Sequence, residues 1–235
     1  MTSYPHVLGE SETLDLMVSG RSIARYGDGE FAIAEDRSIR NQKGHPALAS
    51  RLRAILLGEA GECLVGIPNL LAPLPQKKAY FWRKYTRCAA LLNTQGSYVG
   101  SFVSRPDNAP WLDTPSYWDR LESLWAGQDV TLVRGDDPKD TGGVSLVKKD
   151  LASARSVTEV IAPGINAWAQ YDVILEKVGT PSRALLCLGP TATVMAVDLC
   201  RRGVHALDLG HVGMFRRRHL DDEPTEQSKA RLAVA

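Results

Sequence analysis

Short apolar runs alternate with longer amphipathic runs along this chain. The short runs are bounded by glycine, proline or polar residues, a pattern typical of strands buried in a parallel sheet. On this basis strands are predicted at residues 22–25, 63–67, 97–103, 130–133, 157–162, 184–188 and 205–209.

Between most of these strands, apolar residues recur at the spacing of one helix face. Helices are predicted at residues 11–20, 46–57, 76–93, 114–127, 166–179 and 190–203. Alternating strands and helices predict an α/β fold whose sheet is mostly parallel, with helices on both faces. Neither a repeat nor a linker interrupts the pattern, so one domain is expected over residues 1–220. Residues 221–235 are polar and are expected to form a flexible tail.

Composition narrows the class of protein. Hydrophobic residues make up 44% of the chain, enough for a core, and the net charge of +1 gives no field that would attract nucleic acid. No apolar run reaches the ~20 residues of a membrane span, and the first residues do not form a signal peptide. Cys63, Cys88, Cys187 and Cys200 contain no Cys-x-x-Cys pair. They are interpreted as buried thiols of a cytoplasmic protein.

Two carboxylates two residues apart follow the first predicted strand. Asp28 and Glu30 are each preceded by a glycine, Gly27 and Gly29, and Arg25 lies just upstream. On a tight segment these oxygens could share a hard cation such as Mg²⁺ or Mn²⁺, and the arginine could meet a phosphate. The alternative is a solvated turn, because Gly-Asp-Gly is a common turn sequence.

A second candidate lies at the end of the sixth predicted strand. Gly189 and Pro190 open a helix whose first turn carries Thr191 and Thr193. Free N–H groups at such a helix start suit a phosphate, whereas a threonine that merely caps the helix is the alternative. Neither the Gly-x-Gly-x-x-Gly fingerprint nor a Walker loop is present, which disfavours nicotinamide cofactors and P-loop chemistry.

Further polar residues follow other predicted strands. Asp208 and His211 flank the end of the last one, where a histidine can bind a metal or phosphate or can be structural. The carboxyl ends of parallel strands share one edge of a sheet, where ligands bind. The residues expected to converge there, which favour a metal site over a simple turn, are Asp28, Glu30, Arg105, Arg134, Pro190 and His211.

Two other features are assigned no chemistry. Arg216, Arg217 and Arg218 are interpreted as a solvated basic face, with peripheral contact to a membrane or an anionic acceptor as the alternative. Ser101 lacks the second glycine of a hydrolase nucleophile elbow, so a nucleophilic role is not predicted.

Seven short motifs, in order, resemble the bacterial GT-D-type glycosyltransferases. They are RYGDGE at 25–30, Gln42, GIP at 66–68, FVSRP at 102–106, Asn166-Ala167 with Tyr171-Asp172, LGPTAT at 188–193 and DLGH at 208–211. The resemblance covers residues 22–215. It implies a single Rossmann-like domain and a hexosyltransferase-type enzyme of bacterial polysaccharide biosynthesis that takes its sugar from a nucleotide-sugar, typically a UDP-sugar. The Asp-x-Glu motif, here Asp28 and Glu30, would hold Mn²⁺ or Mg²⁺ at the diphosphate.

On this hypothesis the metal shell is completed by His211. Arg25, Arg105 and the helix start at Gly189, Pro190 and Thr191 would neutralise the diphosphate. The nucleotide would contact backbone at Gly27, Gly29 and Gly66, with Gln42 as a side-chain candidate. Asp208 is a weak candidate for the base that an inverting reaction needs. The acceptor would be a glycan, or a lipid-linked or protein-linked group.

The chain departs from the family pattern in two stretches. The family often carries a Gly-Asn-Asp run before position 144, where this chain reads GGVS at 142–145. An acidic and aromatic stretch often follows the last histidine, where this chain reads VGMFRRR at 212–218. Both stretches would line the acceptor side, so acceptor and base stay open. A metal-dependent phosphohydrolase or nucleotidyltransferase, and a nucleotide-sugar-binding subunit without turnover, remain alternatives.

Overall fold

Seven short strands form one sheet in which every pairing is parallel. A computed structural model describes residues 4–70, 90–136 and 143–220. The strand order is β3-β2-β1-β7-β6-β4-β5. The strands are β1 Ile23–Arg25, β2 Leu64–Ile67, β3 Val99–Gly100, β4 Asp129–Gly135, β5 Ser156–Ala162, β6 Arg183–Cys187 and β7 His205–Asp208. All seven predicted strands are present, and the α/β class with its parallel sheet is confirmed.

Helices occupy most of the connections between strands. They are α1 Glu10–Val18, α2 Asp28–Ala34, α3 Pro46–Ala54, α4 Pro115–Glu122, α5 Tyr171–Val178, α6 Pro190–Arg201 and α7 at 212–220. Pro46, Pro115 and Pro190 each occupy the first turn, where a missing N–H costs nothing. Most of the predicted helix at 76–93 lies outside the described residues, as do residues 137–142. Each described helix is too short or too polar to cross a bilayer.

The central strand β6 is apolar after its first residue because both faces of the sheet are covered. Successive side chains of a strand point to opposite faces, and residues 184–187 of β6 are all buried. The edge strand β5 instead alternates between exposed and covered positions along much of its length. Cys63 and Cys187 are buried free thiols, as expected, whereas Cys200 is only partly buried. Cys88 lies outside the described residues.

The predicted strand at 97–103 is wrong over most of its length. β3 ends at Gly100, and Ser101–Ser104 form a 3-10 turn. The cause is helix α1, which packs against this point. The Gly100 N–H donates to the Thr13 hydroxyl at 2.9 Å, and a Cβ on Gly100 would lie 2.9 Å from the Glu10 carboxylate. Because α1 takes the place of a strand partner here, the ladder stops.

The sheet reverses its direction of growth between β1 and β7. From β1 the chain proceeds outward to β2 and β3, and every later strand lies on the other side. In open α/β sheets, ligands bind beyond the carboxyl ends of strands at such a switch point. The fold therefore places the residues that follow β1 and β7 at the most favourable position for a site.

The predicted solvated basic face on α7 is wrong for two of its three arginines. Arg216 forms an ion pair with Glu122 at 2.7 Å, and Arg217 pairs with the buried Asp150. Only Arg218 is exposed. Both paired arginines bind α7 to earlier parts of the chain, so the run is mainly a packing feature.

Helix α7 also needs a glycine at its start. A Cβ on Gly213 would overlap the carbonyl group of Ser145 and lie 2.7 Å from the Leu146 nitrogen. Gly213→Ala is therefore expected to lower the free energy of unfolding by about 2 kcal/mol, since backbone atoms cannot yield as side chains do. Urea denaturation measures the change. Gly44→Ala is the control, because its Cβ would meet its neighbours at 3.2 Å or more and a smaller loss is expected. Equal stability of Gly213→Ala and the unmodified protein would contradict this account.

Candidate active site

A cavity of about 1040 Å³ opens at the carboxyl ends of the strands. That volume lies at the upper end of the range for small-molecule and cofactor sites. Its walls come from the segments 25–30, 39–42, 101–108, 135–136, 143–145, 163–167, 187–190 and 208–211. Parts of the chain far apart in sequence therefore meet where the sequence predicted convergence.

Most of the predicted site residues line this cavity. They are Arg25, Gly27, Asp28, Gly29, Glu30, Gln42, Arg105, Gly189, Pro190, Asp208 and His211. Gly66, Thr191 and Arg134 do not line it. Gly66 lies behind the wall, Thr191 is fully buried in α6, and Arg134 pairs with Glu159 at 2.9 Å.

The tight segment expected at 27–30 is the start of a helix, and not the solvated turn of the alternative interpretation. Helix α2 begins at Asp28, and the Glu30 carboxylate accepts a hydrogen bond from the Gly27 N–H at 2.8 Å. A glutamate at the third helical position that caps the residue before the helix is a known start signal. Asp28 and Glu30 therefore stand on one helical turn. Asp28 is exposed, whereas Glu30 is partly buried and already accepts one hydrogen bond.

Negative charge is crowded on the inner side of this turn. Burial, and then the nearby charge of Asp208, raise the pKa of Glu30 to about 7, although the Gly27 N–H and Arg25 act in the opposite direction. Both causes disfavour the ionised form of this carboxyl group. A bound cation would favour that form.

The Arg25 side chain holds strand ends together. Its Nε donates to the Asp208 carbonyl and its Nη1 to the Ser101 carbonyl at 2.8 Å. Its Nη2 lies 3.7 Å from Asp208 Oδ1. The guanidinium was expected to be open to a phosphate, and this expectation needs correction. Within the described residues, Nε and Nη1 already donate to protein groups, and Nη2 alone is left for a ligand. Arg25 is primarily a positioning residue.

Asp208 is the partner of Arg25, and its carboxylate is likewise occupied by contacts with protein groups. One carboxylate oxygen accepts from the Arg25 backbone N–H at 3.1 Å and lies 3.1 Å from the Thr193 hydroxyl. The side chain is buried, and burial raises its pKa although Arg25 lowers it. The geometry favours a structural role over the predicted role as base, because the carboxylate faces protein groups.

Gly210 and His211 follow β7 at the cavity wall. Gly210 has φ +53°, and a Cβ there would overlap Nη2 of Arg25, so no other residue fits. His211 is exposed to the cavity. Enclosure by the surrounding walls, and then the charges of Arg105 and Arg25, lower the pKa of His211 to about 4. Its imidazole is therefore neutral at pH 7 and able to act as a ligand.

The predicted metal set is not assembled by protein side chains alone. Within residues 4–70, 90–136 and 143–220, no group of three His, Cys, Asp or Glu side chains could hold a metal ion. Mg²⁺ at a diphosphate uses one or two carboxylates and takes its remaining ligands from phosphate oxygens and water. Asp28 is exposed, Glu30 lies on the same helical turn, and the imidazole of His211 is neutral. These three side chains fit a metal site whose remaining ligands come from a substrate and water.

Gln42 serves the loop that closes one side of the cavity. Its Oε1 accepts from the Trp168 N–H at 3.3 Å, and its Nε2 donates to the Lys43 carbonyl at 3.0 Å. The side chain is 5% exposed. Its amide mainly fixes the loop, so recognition of a nucleotide by Gln42, as predicted, would have to use the remaining N–H.

Sequence reasoning missed several lining residues. Asn41, Asn108 and Asp136 lie in loops, where no periodic pattern marks them. The Asp107 carboxylate accepts hydrogen bonds from Nε and Nη2 of Arg105, each at 2.8 Å. The spacing of two residues between them is a signal that could have indicated this pair. Ser101 lines the wall next to them, although its motif had been set aside.

A family model for glycosyltransferases with the GT-D fold matches residues 23–216. The chain belongs to this family. The earlier resemblance is thereby confirmed, and the match includes each lining residue between Arg25 and His211.

Two curated relatives of this GT-D chain come from streptococci. The probable glycosyl transferase Gly of Streptococcus gordonii is 32% identical over 220 residues, covering 88% of this chain and 32% of that protein. Glycosyltransferase GlyD of Streptococcus pneumoniae serotype 4 is 29% identical over 220 residues, covering 88% of this chain and 26% of that protein. The chain thus spans about a third of the length of these relatives or less.

Solved structures share the GT-D fold with the chain. A domain of unknown function 1792 with a distinct glycosyltransferase fold has a TM-score of 0.76 and 32% identity, covering 90% of this chain and 80% of that one. A glycosyltransferase from Streptococcus sanguinis has a TM-score of 0.74 and 28% identity, covering 88% and 82%.

Removing the charge of Asp208 should destabilise the protein strongly. Asp208→Asn leaves the buried guanidinium of Arg25 without its counter-ion, which costs about 3–5 kcal/mol in buried pairs. Chemical denaturation measures the loss. The control is Asp15→Asn, which removes the charge from the exposed pair with Arg120 and should change little. Similar effects of both changes would show that the inner pair is not the stronger one.

Proposed function

We propose that this chain is a metal-dependent glycosyltransferase that moves a sugar from a UDP-sugar to a hydroxyl group of a glycan or glycoconjugate acceptor. The observation that carries the proposal is the cavity at the switch point of the sheet, with an exposed carboxylate, Asp28, on its wall. Its volume suits a nucleotide-sugar with part of an acceptor. Membership of a glycosyltransferase family supports the reaction class.

The diphosphate end of the donor would lie at the start of α6. The first N–H groups of a helix and its positive dipole end favour phosphate groups. Gly189, with φ +54°, and Pro190 bring this end to the cavity wall. Arg105, held by Asp107, adds positive charge to the opposite wall. These groups would hold the leaving diphosphate without any rearrangement of the main chain.

Asp28 and Glu30, with His211, would hold Mn²⁺ or Mg²⁺ beside that diphosphate. Bound there, the metal would neutralise the charge that develops on the departing nucleoside diphosphate. Arg25 and Asp208 would hold the start of α2 and the end of β7 in fixed positions behind the ligands. They would act through position and not through contact with the reacting atoms.

The acceptor hydroxyl would attack the sugar carbon from the open side of the cavity. A base for an inverting reaction would need an accessible carboxylate. Asp136 lines the cavity and is exposed, whereas Asp208 is 4% exposed. A glycan, a lipid-linked sugar and a protein-linked sugar all present such a hydroxyl. We further infer a cytoplasmic location, which the buried free thiols of Cys63 and Cys187 support.

Binding of the donor should depend on the metal. UDP with Mn²⁺ is expected to raise the melting temperature, whereas ATP, NAD and UDP with a chelator should not, because a ligand stabilises only the state that binds it.

Asp28→Ala should lower kcat for sugar transfer by about 100-fold, the loss typical of one electrostatic group in a site. Asp172→Ala is the matched control, since Asp172 lies in the first turn of α5 and away from the cavity.

The products distinguish the alternatives. Sugar transfer releases UDP and a new glycoside, whereas a nucleotidyltransferase would release pyrophosphate. Metal-dependent UDP binding without turnover over a broad acceptor panel would indicate a binding subunit. Full activity of Asp28→Ala, or in excess chelator, would refute the metal role.

A further inference from the structure

Two buried serines occupy the 3-10 turn that follows β3. Ser101 is 3% exposed and Ser104 is not exposed at all. Neither hydroxyl has a hydrogen-bond partner within the described part of the chain. Buried hydroxyl groups in native proteins nearly always have a partner, because burial without one is unfavourable. Each of these groups therefore requires an explanation.

The two serines differ in what they face. Ser101 lines the large cavity at the strand ends, whereas Ser104 does not. Ser101 therefore borders a space that a ligand can enter, with its unpartnered hydroxyl just beneath the wall. The same turn thus supplies both a candidate ligand contact and a matched position without access to the cavity.

The position of Ser101 is determined by the groups behind it. Its carbonyl accepts a hydrogen bond from Arg25 Nη1 at 2.8 Å. On the other side lies Gly66, where a Cβ would be 3.3 Å from the Ser101 Cα and 3.4 Å from the Arg25 Cγ. The absence of a side chain at Gly66 leaves the space that Ser101 and Arg25 occupy. The main chain of Ser101 is thus fixed, so a ligand would have to order only the hydroxyl.

We propose that Ser101 is a donor-binding residue whose hydroxyl forms a hydrogen bond with a polar oxygen of the nucleotide-sugar. This inference rests on the proposed function of the same cavity. It assigns a contact to the wall beyond β3, on the far side of Arg25 from the helix α6. It also gives Gly66 a role that differs from the predicted backbone contact, namely making room for the serine that touches the donor.

A hydroxyl group is suited to two parts of such a donor. It can donate to a phosphate oxygen, or it can donate to and accept from a sugar hydroxyl. Loss of one hydrogen bond of this kind weakens binding by about 3- to 30-fold. Because no group in residues 4–70, 90–136 or 143–220 bonds to the Ser101 hydroxyl, its removal should leave folding unaffected.

The test compares Ser101→Ala with Ser104→Ala. Calorimetric titration with UDP and with UDP-glucose, both in the presence of Mn²⁺, gives Kd, and thermal melting of the free proteins gives stability. Ser101→Ala should weaken binding about 3- to 30-fold with an unchanged or raised melting temperature. Ser104→Ala should bind as the unmodified protein does. In turnover assays the loss should appear in KM more than in kcat.

The two ligands locate the contact. Weaker binding of both UDP and UDP-glucose by Ser101→Ala supports a contact with the nucleotide part, and weaker binding of UDP-glucose alone supports a contact with the sugar. Unchanged binding of both ligands would overturn the proposal while leaving the proposed function intact. Equal losses in Ser101→Ala and Ser104→Ala would also overturn it, because they would report a general effect of the turn. Failure of the unmodified protein to bind either ligand would overturn the proposed function itself, and this inference with it.

Discussion

The buried ion pair between Arg25 and Asp208 is the interaction on which the site depends. It joins the ends of β1 and β7, the two strands between which the sheet reverses. Thr193 from α6 lies within hydrogen-bond distance of the Arg25 carbonyl and the Asp208 carboxylate, and Arg25 also reaches the Ser101 carbonyl. Such a pair is stabilised in the interior by further hydrogen bonds to its donors and acceptors. Here those hydrogen bonds require four segments to lie in one arrangement.

This pair divides the charged residues of the cavity into two groups. Arg25 and Asp208 face each other and the main chain, so they hold the strand ends in place. Asp28, Arg105 and His211 stand at the cavity wall, where they can meet a ligand. Glu30 lies between the groups, because its carboxylate caps α2 while the charge of Asp208 acts on it. Charged residues found at strand ends in a sequence are thus not equivalent, and burial decides which of them a ligand in the cavity can reach.

The parts of the structure that could be predicted are those with local causes. Continuous apolar runs specify buried strands, and prolines with glycines mark helix limits, so the strand ends and their convergence followed from sequence. The start of α2 was also readable, since Glu30 stands at the spacing of a capping residue from Gly27. The shortened β3 was not, because its cause is Glu10 and Thr13 on a distant helix. The partners of Arg216 and Arg217 are likewise set by the fold, as is the commitment of Arg25 to Asp208.

The adjacency of β1 and β7 has a consequence for how the chain folds. Arg25 and Asp208 are 183 residues apart in sequence. During synthesis at 5–20 residues per second, β1 waits roughly 10 to 40 s for its partner on this side. Until then its apolar residues Ile23 and Ala24, which are fully buried in the finished sheet, lack one neighbour. Contacts between distant residues form late and slowly. The cavity is therefore among the last parts of the domain to assemble, and a nascent chain exposes an open strand edge for most of its synthesis.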